Sequence, residues 1–287
     1  MNFAEKLKTL RKQYKFSQEQ LAEKLNVSRQ AITKWETDGG LPDIDNLMAI
    51  AALFSLSMDD LLSDEKLAKA QQGFAYESVT EHDIRSLTHF DIHAPAAFEI
   101  TVTSTPNEKL RVCLASSVMQ TLEKDYKVQI DEHRRRLDVD IRRMGNASDT
   151  AGKEALHINI SLPASLCEEV ELAAATQSLR LIDADFSFEL DGKAGKVFLA
   201  GRNGKIALNC NTDMDIYAEQ LPAALEINQI NAVSALHIPK DAMFTTKTKG
   251  KSNKIIFPNR VEHQSDGDAE NLIELAGMNA ELTVTVQ

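Results

Sequence analysis

The chain has no run of about twenty apolar residues, so it holds no segment able to cross a bilayer as a helix. Its start, Met-Asn-Phe-Ala-Glu-Lys, has no apolar secretory core, which points to a cytoplasmic protein. Cysteine is scarce: Cys113, Cys167 and Cys210 are odd in number, far apart and without a Cys-x-x-Cys pair. That argues against a disulfide framework and a zinc site, and fits reduced thiols. The seven histidines form no His-Glu-x-x-His or other metal-ligand spacing. A P-loop, a Gly-x-Gly-x-x-Gly and a Gly-x-Ser-x-Gly are all missing as well. No cofactor, metal or catalytic residue is therefore expected, and the chain does not read as an enzyme.

What is present is a globular composition, 43% hydrophobic and 26% charged over 287 residues, long enough for two domains with cores of their own. The net charge of −11 is unevenly spread. Residues 1–62 hold eight Lys/Arg against nine Asp/Glu, whereas residues 71–287 hold 22 against 32. The acidity thus lies in the second part, which leaves local charge placement in the first part free to meet a polyanion.

The first 62 residues carry a helical period. Phe3, Leu7, Leu10 and Tyr14 mark one helix. Ser17 opens a second, with Gln20 three residues on as a capping box and Leu21, Ala22 and Leu25 as the inner face. Asn26-Val27 makes a turn, Asn tolerating a left-handed backbone. Ser28 caps a third helix that buries Ala31, Ile32 and Trp35. After Gly39-Gly40-Leu41-Pro42, a fourth helix turns Leu47, Ile50, Ala51 and Phe54 inward, and Ser57 with Asp60 starts a fifth that ends at Leu61-Leu62. The expected layout is a five-helix domain at 1–65, a linker at 66–80 and an all-β domain at 81–287.

In the last of these the period changes to strict alternation, as in Phe98–Val102, Leu110–Val112, Val128–Ile130, Leu137–Ile141 and His157–Leu162. Apolar-x-apolar triplets then begin at Val170, Leu179, Phe188, Val197, Ile206, Ile216, Leu225 and Leu236, mostly nine residues apart. A short fixed repeat with Asn, Asp and Gly at its corners predicts stacked coils, two triplets to a coil, in a β-solenoid. An antiparallel β-sandwich or meander is the alternative.

The segment Ser17-Gln18-Glu19-Gln20-Leu21-Ala22-Glu23-Lys24-Leu25-Asn26-Val27-Ser28-Arg29-Gln30-Ala31-Ile32-Thr33-Lys34-Trp35-Glu36 closely resembles the Xre/Cro-type helix-turn-helix of phage repressors and bacterial regulators. The resemblance covers about residues 1–62 and implies a DNA-binding domain whose third helix enters the major groove. Its outward residues would then meet base edges. Arg29 suits guanine O6/N7 and Gln30 suits adenine N6/N7, with Ser28 and Thr33 as further base contacts. Lys34 is expected on a phosphate, and Gln18 matches the family position that grips phosphate near a helix start. Arg11 and Glu36 match a family ion pair that braces the first helix against the third, and Trp35 reads as core. Asp38 departs from the pattern, standing where relatives often carry a basic residue.

The second half loosely resembles adhesin-type β-solenoid domains of unknown function, by pattern rather than by fixed residues. Two of its features invite stronger readings. Asp183 with Asp185 and Asp213 with Asp215 form Asp-x-Asp pairs of the kind that flank glycosidic bonds, but corner or strand-face residues are the expectation. His133-Arg134-Arg135-Arg136 with Arg142-Arg143 makes a basic run, expected to be a paired, solvated surface.

The chain therefore reads as a sequence-specific transcriptional regulator on double-stranded DNA. A homodimer is expected, with its interface in the fourth and fifth helices or at strand edges. The β domain would sense a protein or small-molecule effector or mediate assembly. The alternative is a protein-interaction or antitoxin-like scaffold in which DNA binding is secondary.

Overall fold

The computed structural model describes residues 3–13, 16–25, 27–37, 40, 42, 46–47, 49–50, 74–145, 148–258 and 271–286. The chain divides into two compact units, 1–73 and 74–287.

In the first unit, α1 (Phe3–Gln13), α2 (Gln18–Leu25) and α3 (Arg29–Glu36) surround a small core of Phe3, Leu7, Leu21, Leu25, Ile32 and Trp35, joined by Leu47 and Ile50. The starts of α2 and α3 are closed by their own side chains. Ser17 Oγ accepts from Gln20 N at 3.1 Å while Ser17 N donates to Gln20 Oε1 at 2.8 Å, a reciprocal capping box. Ser28 Oγ accepts from Ala31 N at 3.2 Å and sets the entry to α3. Of the expected fourth helix, Leu47 and Ile50 are buried; Ala51, Phe54 and the whole fifth helix lie outside the described residues, as do Tyr14, Asn26, Asp38 and residues 66–73 of the expected linker.

The second unit consists of β1 (Tyr76–Asp83), β2 (Thr88–His93), β3 (Ala97–Thr105), β4 (Lys109–Ser116), α4 (Leu122–Asp125), β5 (Tyr126–His133), β6 (Arg136–Arg143), α5 (Asp149–Ala155), β7 (His157–Pro163), β8 (Cys167–Ile182), β9 (Ser187–Ala200), β10 (Lys205–Cys210), β11 (Asp215–Ala218), β12 (Ala224–Ile230), β13 (Val233–Ile238), β14 (Thr245–Thr248), β15 (Lys254–Ile256), β16 (Leu272–Met278) and β17 (Glu281–Val286). These strands form two parallel ladders. One runs β6, β2, the first half of β8, the first half of β9, β10, β12, β16, β14. The other runs β7, β3, the second halves of β8 and β9, β11, β13, β17, β15. Antiparallel strands close one end: β5 lies on β6, β4 on β7 and β1 on β4.

The triplets fall alternately on the two ladders. Val170, Phe188, Ile206, Leu225 and Ile273 face one another along the first. Leu179, Val197, Ile216, Leu236 and Val284 do so along the second. All ten side chains are buried, so along each ladder every strand covers the apolar row of the last. Two corners need glycine. Gly192 (φ +147°) and Gly277 (φ +110°) have backbone angles that side chains avoid, and a Cβ on either would stand 1.9 Å from a carbonyl oxygen, that of Ala174 or Gln229.

Chain order and ladder order part at the C-terminal end, where β16 and β17 lie between β12/β13 and β14/β15. Polarity accounts for this. The inward residues of β16 and β17, Ile273, Leu275, Leu282 and Val284, are fully buried. Those of β14, facing Ile273 and Leu275, are the exposed Thr246 and Thr248. A strand as polar as β14 serves at the end of a ladder and not inside it.

Two features differ from the sequence expectations. β1 begins at Tyr76, inside the stretch expected as linker. Its less exposed residues, Tyr76, Ser78, Thr80 and His82, are mostly polar, and its one aliphatic residue, Val79, is 46% exposed, so it carries no apolar alternation. The β-rich unit also contains two short helices, α4 and α5, the latter capped by Ser148 Oγ on Ala151 N at 3.1 Å. Among the described residues no helix is long and apolar enough to cross a membrane.

Candidate nucleic-acid interface

α3 is amphipathic. Ile32, Trp35 and Glu36 are buried, and Arg29, Gln30, Thr33 and Lys34 stand on the opposite, exposed face. With Ser28, Thr37 and Gln18 from the start of α2, these residues line one open depression of about 770 Å³. The structure thus brings together all six residues expected to touch DNA.

Behind that surface lies a polar network. Arg11 grips Glu36 with two bonds, Nε to Oε1 at 2.5 Å and Nη2 to Oε2 at 3.0 Å, and its Nη1 donates to the Phe16 carbonyl at 3.0 Å. Burial pushes the Glu36 carboxyl upward, but bonds from Arg11 and Gln18 and the charges of Arg11 and Lys8 outweigh it and hold the group below the ordinary carboxylate value. The bond to Glu36 raises Arg11 in turn. Gln18 Nε2 donates to Glu36 Oε2 at 2.8 Å, and its Oε1 accepts from Thr33 Oγ1 at 3.3 Å. The ion pair that ties α1 to α3 therefore also orients Gln18, and Gln18 reaches the exposed Thr33.

Two partnerships on this surface were absent from the sequence expectations. Gln18, expected on phosphate alone, spends one amide hydrogen on Glu36 and keeps one. Arg29 Nη1 stands 3.2 Å from Glu19 Oε1. The only signal for that pair was its position, with each residue in the first turn of a helix on either side of one tight turn. Gln30 and Lys34 make no side-chain hydrogen bond or ion pair among the described residues.

The candidates in the second unit do not converge. Asp183 sits at a corner with φ 51° and accepts from Arg202 N at 3.1 Å, and Asp213 accepts from Val233 N at 2.8 Å. Asp185 pairs with Arg202 at 3.3 Å, and Asp215 is exposed on a strand face. In the basic run Arg135 holds Glu168 at 3.0 Å, Arg136 holds Asp91 and, at 2.6 Å, Asp138, Arg142 holds Asp140 at 2.7 Å, and Arg143 holds Asp149. All three cysteines are buried and none is in a disulfide, and burial pushes Cys167 up to about 12 and Cys210 up to about 11. Thiols held so high are inert.

Three helices, the second and third capped by their own side chains, with a polar face of the third in the open, define a helix-turn-helix DNA-binding domain. The Helix-turn-helix family model matches residues 7–61. The HTH-type transcriptional activator BcrR of Enterococcus faecalis is 51% identical over 67 residues, 23% of this chain and 33% of that protein. The immunity repressor protein of Bacillus phage phi105 is 34% identical over 84 residues, 29% of this chain and 58% of its own. The uncharacterized HTH-type transcriptional regulator YobD of Bacillus subtilis is 30% identical over 84 residues, 29% of this chain and 75% of its own. The chain belongs to the Xre-type helix-turn-helix family of transcriptional regulators. It spans a third of the first of these relatives and under two thirds of the second. A solved structure, a "putative cell adhesion protein" from Clostridium sporogenes, matches 74% of this chain and 99% of its own at 9% identity and a TM-score of 0.41.

Proposed function

We propose that the whole protein is a sequence-specific transcriptional regulator that works by binding, in the cytoplasm, as a homodimer. In this reading the first unit, residues 1–73, reads an operator, and the β-rich unit, residues 74–287, senses an effector or mediates assembly. Ser28, Arg29, Gln30 and Thr33 contact bases; Lys34 and Gln18 contact phosphates. The observation that carries the reading is the meeting of these six side chains on one open surface, backed by the buried Ile32 and Trp35.

We read the β-rich unit as a solenoid. Support comes from the parallel registers, in which Val170 faces Phe188, Phe188 faces Ile206 and Ile206 faces Leu225, at intervals of 18 or 19 residues. Two-fold dimers of this class bind half-sites about one helical turn apart. β5 and β14 each pair on one side only among the described residues, which leaves strand edges for a second copy.

Titration of the full chain onto DNA selected from a random pool tests the proposal. A two-fold symmetric motif bound by two chains per duplex is the expected result. One chain per duplex, or no motif, would contradict it.

A further inference from the structure

We propose that Glu19 is a positioning residue for Arg29 and sets how strongly the protein prefers its operator over random DNA. The inference rests on reading Arg29 as a base contact. Glu19 Oε1 lies 3.2 Å from Arg29 Nη1, and the two side chains are 72% and 63% exposed. So exposed a pair adds little to folding. Its consequences fall on whatever approaches the surface.

A guanidinium carries five N–H donors. Glu19 occupies one on Nη1, which leaves the Nε–Nη2 edge open, and two parallel donors are what guanine O6 and N7 require. Glu19 thus holds Arg29 from behind without using the edge that reads the base. On random DNA the balance is different. There Arg29 gains most by swinging to a phosphate, and Glu19 competes for the same guanidinium while its own charge repels the backbone. Glu19 therefore weakens backbone binding everywhere and weakens it least where a guanine meets Arg29. Lys34, on the same face, has no carboxylate partner among the described residues and is left to attract phosphate without discrimination.

The test compares the full-length wild type with Glu19→Gln, Arg29→Ala and the double variant, on the selected operator and on random duplex, at 50 and 200 mM salt. Trp35 fluorescence should show all four unfolding together, since both side chains are exposed. Glu19→Gln should bind random duplex more tightly, with one additional phosphate contact. That steepens the salt slope by about 0.9, or about a threefold larger loss of affinity between the two salts. It should also relax base preference at the position that Arg29→Ala erases, and the double variant should relax it no further than Arg29→Ala does. A Glu19→Gln protein that keeps both the wild-type slope and that base preference, while Arg29→Ala loses the preference, overturns this inference alone. An Arg29→Ala protein that keeps every preference overturns the base-contact reading and this inference with it.

Discussion

The outer face of α3 and the arginine run around β6 are both rows of polar side chains backed by buried apolar ones, and they differ in where their partners lie. Around β6 each of Arg135, Arg136, Arg142 and Arg143 holds a carboxylate of the same unit, and Arg134 holds none among the described residues. On α3, Gln30 and Lys34 hold nothing among the described residues, the Thr33 hydroxyl donates to the Arg29 carbonyl and to Gln18, and Glu19, the carboxylate that faces Arg29, is exposed. A charge run mostly spent on carboxylates of its own unit is a paired surface. A polar face whose internal bonds orient it and leave its outer donors open is the candidate site. The comparison also separates two kinds of stability, a small helical core braced by a buried ion pair and two parallel ladders whose apolar rows continue from strand to strand.

The largest expected effect breaks the brace. Arg11→Ala leaves the Glu36 carboxylate buried with only Gln18 as a donor, which should cost about 3–5 kcal/mol. Trp35 is the single tryptophan and lies in the helical unit, so its fluorescence should report the loss while the β signal in circular dichroism keeps its midpoint. The same pair gives a pH dependence of known sign. Glu36 is held below its ordinary value of 4.5, so its contribution is complete above that value and is lost as pH falls through the lower folded value. Tryptophan-monitored melts should weaken below the ordinary carboxylate range and stay level above it. Leu208→Ala, in the fully buried row of the β unit, is the mirror experiment and should cost about 2–5 kcal/mol there, with the Trp35 transition unchanged. If either variant moves both transitions equally, the division into independently stabilised units fails.

Smaller effects sharpen the contrast between the two polar faces. Losing the Arg29 or Gln30 side chain should cost about 1–3 kcal/mol of operator affinity at one base position, read by binding to single-base operator variants. Lys34→Ala should weaken all sequences alike and lower the salt slope by about one. Arg142→Ala with Arg143→Ala should change stability by about 1 kcal/mol at most and leave operator binding unaltered, because both side chains are exposed and spent on local carboxylates.

Legibility followed locality. The capping box at Ser17 and Gln20 and the cap at Ser28 act within three residues, and the structure has them where the spacing put them. The exposed face of α3 follows from a 3.6-residue period applied to eight residues. The split into a helical first part and a β-rich second part was equally readable, because the hydrophobic period changes between them. The rest depends on distant partners. That Gln18 would donate to Glu36 requires α1, α2 and α3 to be assembled first. β1 hides because few of the residues it turns inward are apolar. The placing of β16 and β17 inside β14 and β15 is invisible to a triplet count, since an apolar triplet fits beside any other; the polarity of Thr246 and Thr248 was its only local sign.

The central claim is that α3 reads bases, and selection from a random DNA pool with the wild type and with the Arg29→Ala, Gln30→Ala double variant tests it most directly. A defined motif that the double variant loses at the contacted bases, while keeping salt-sensitive binding, is the predicted result. Binding without a motif, or a motif that the double variant retains, would contradict it.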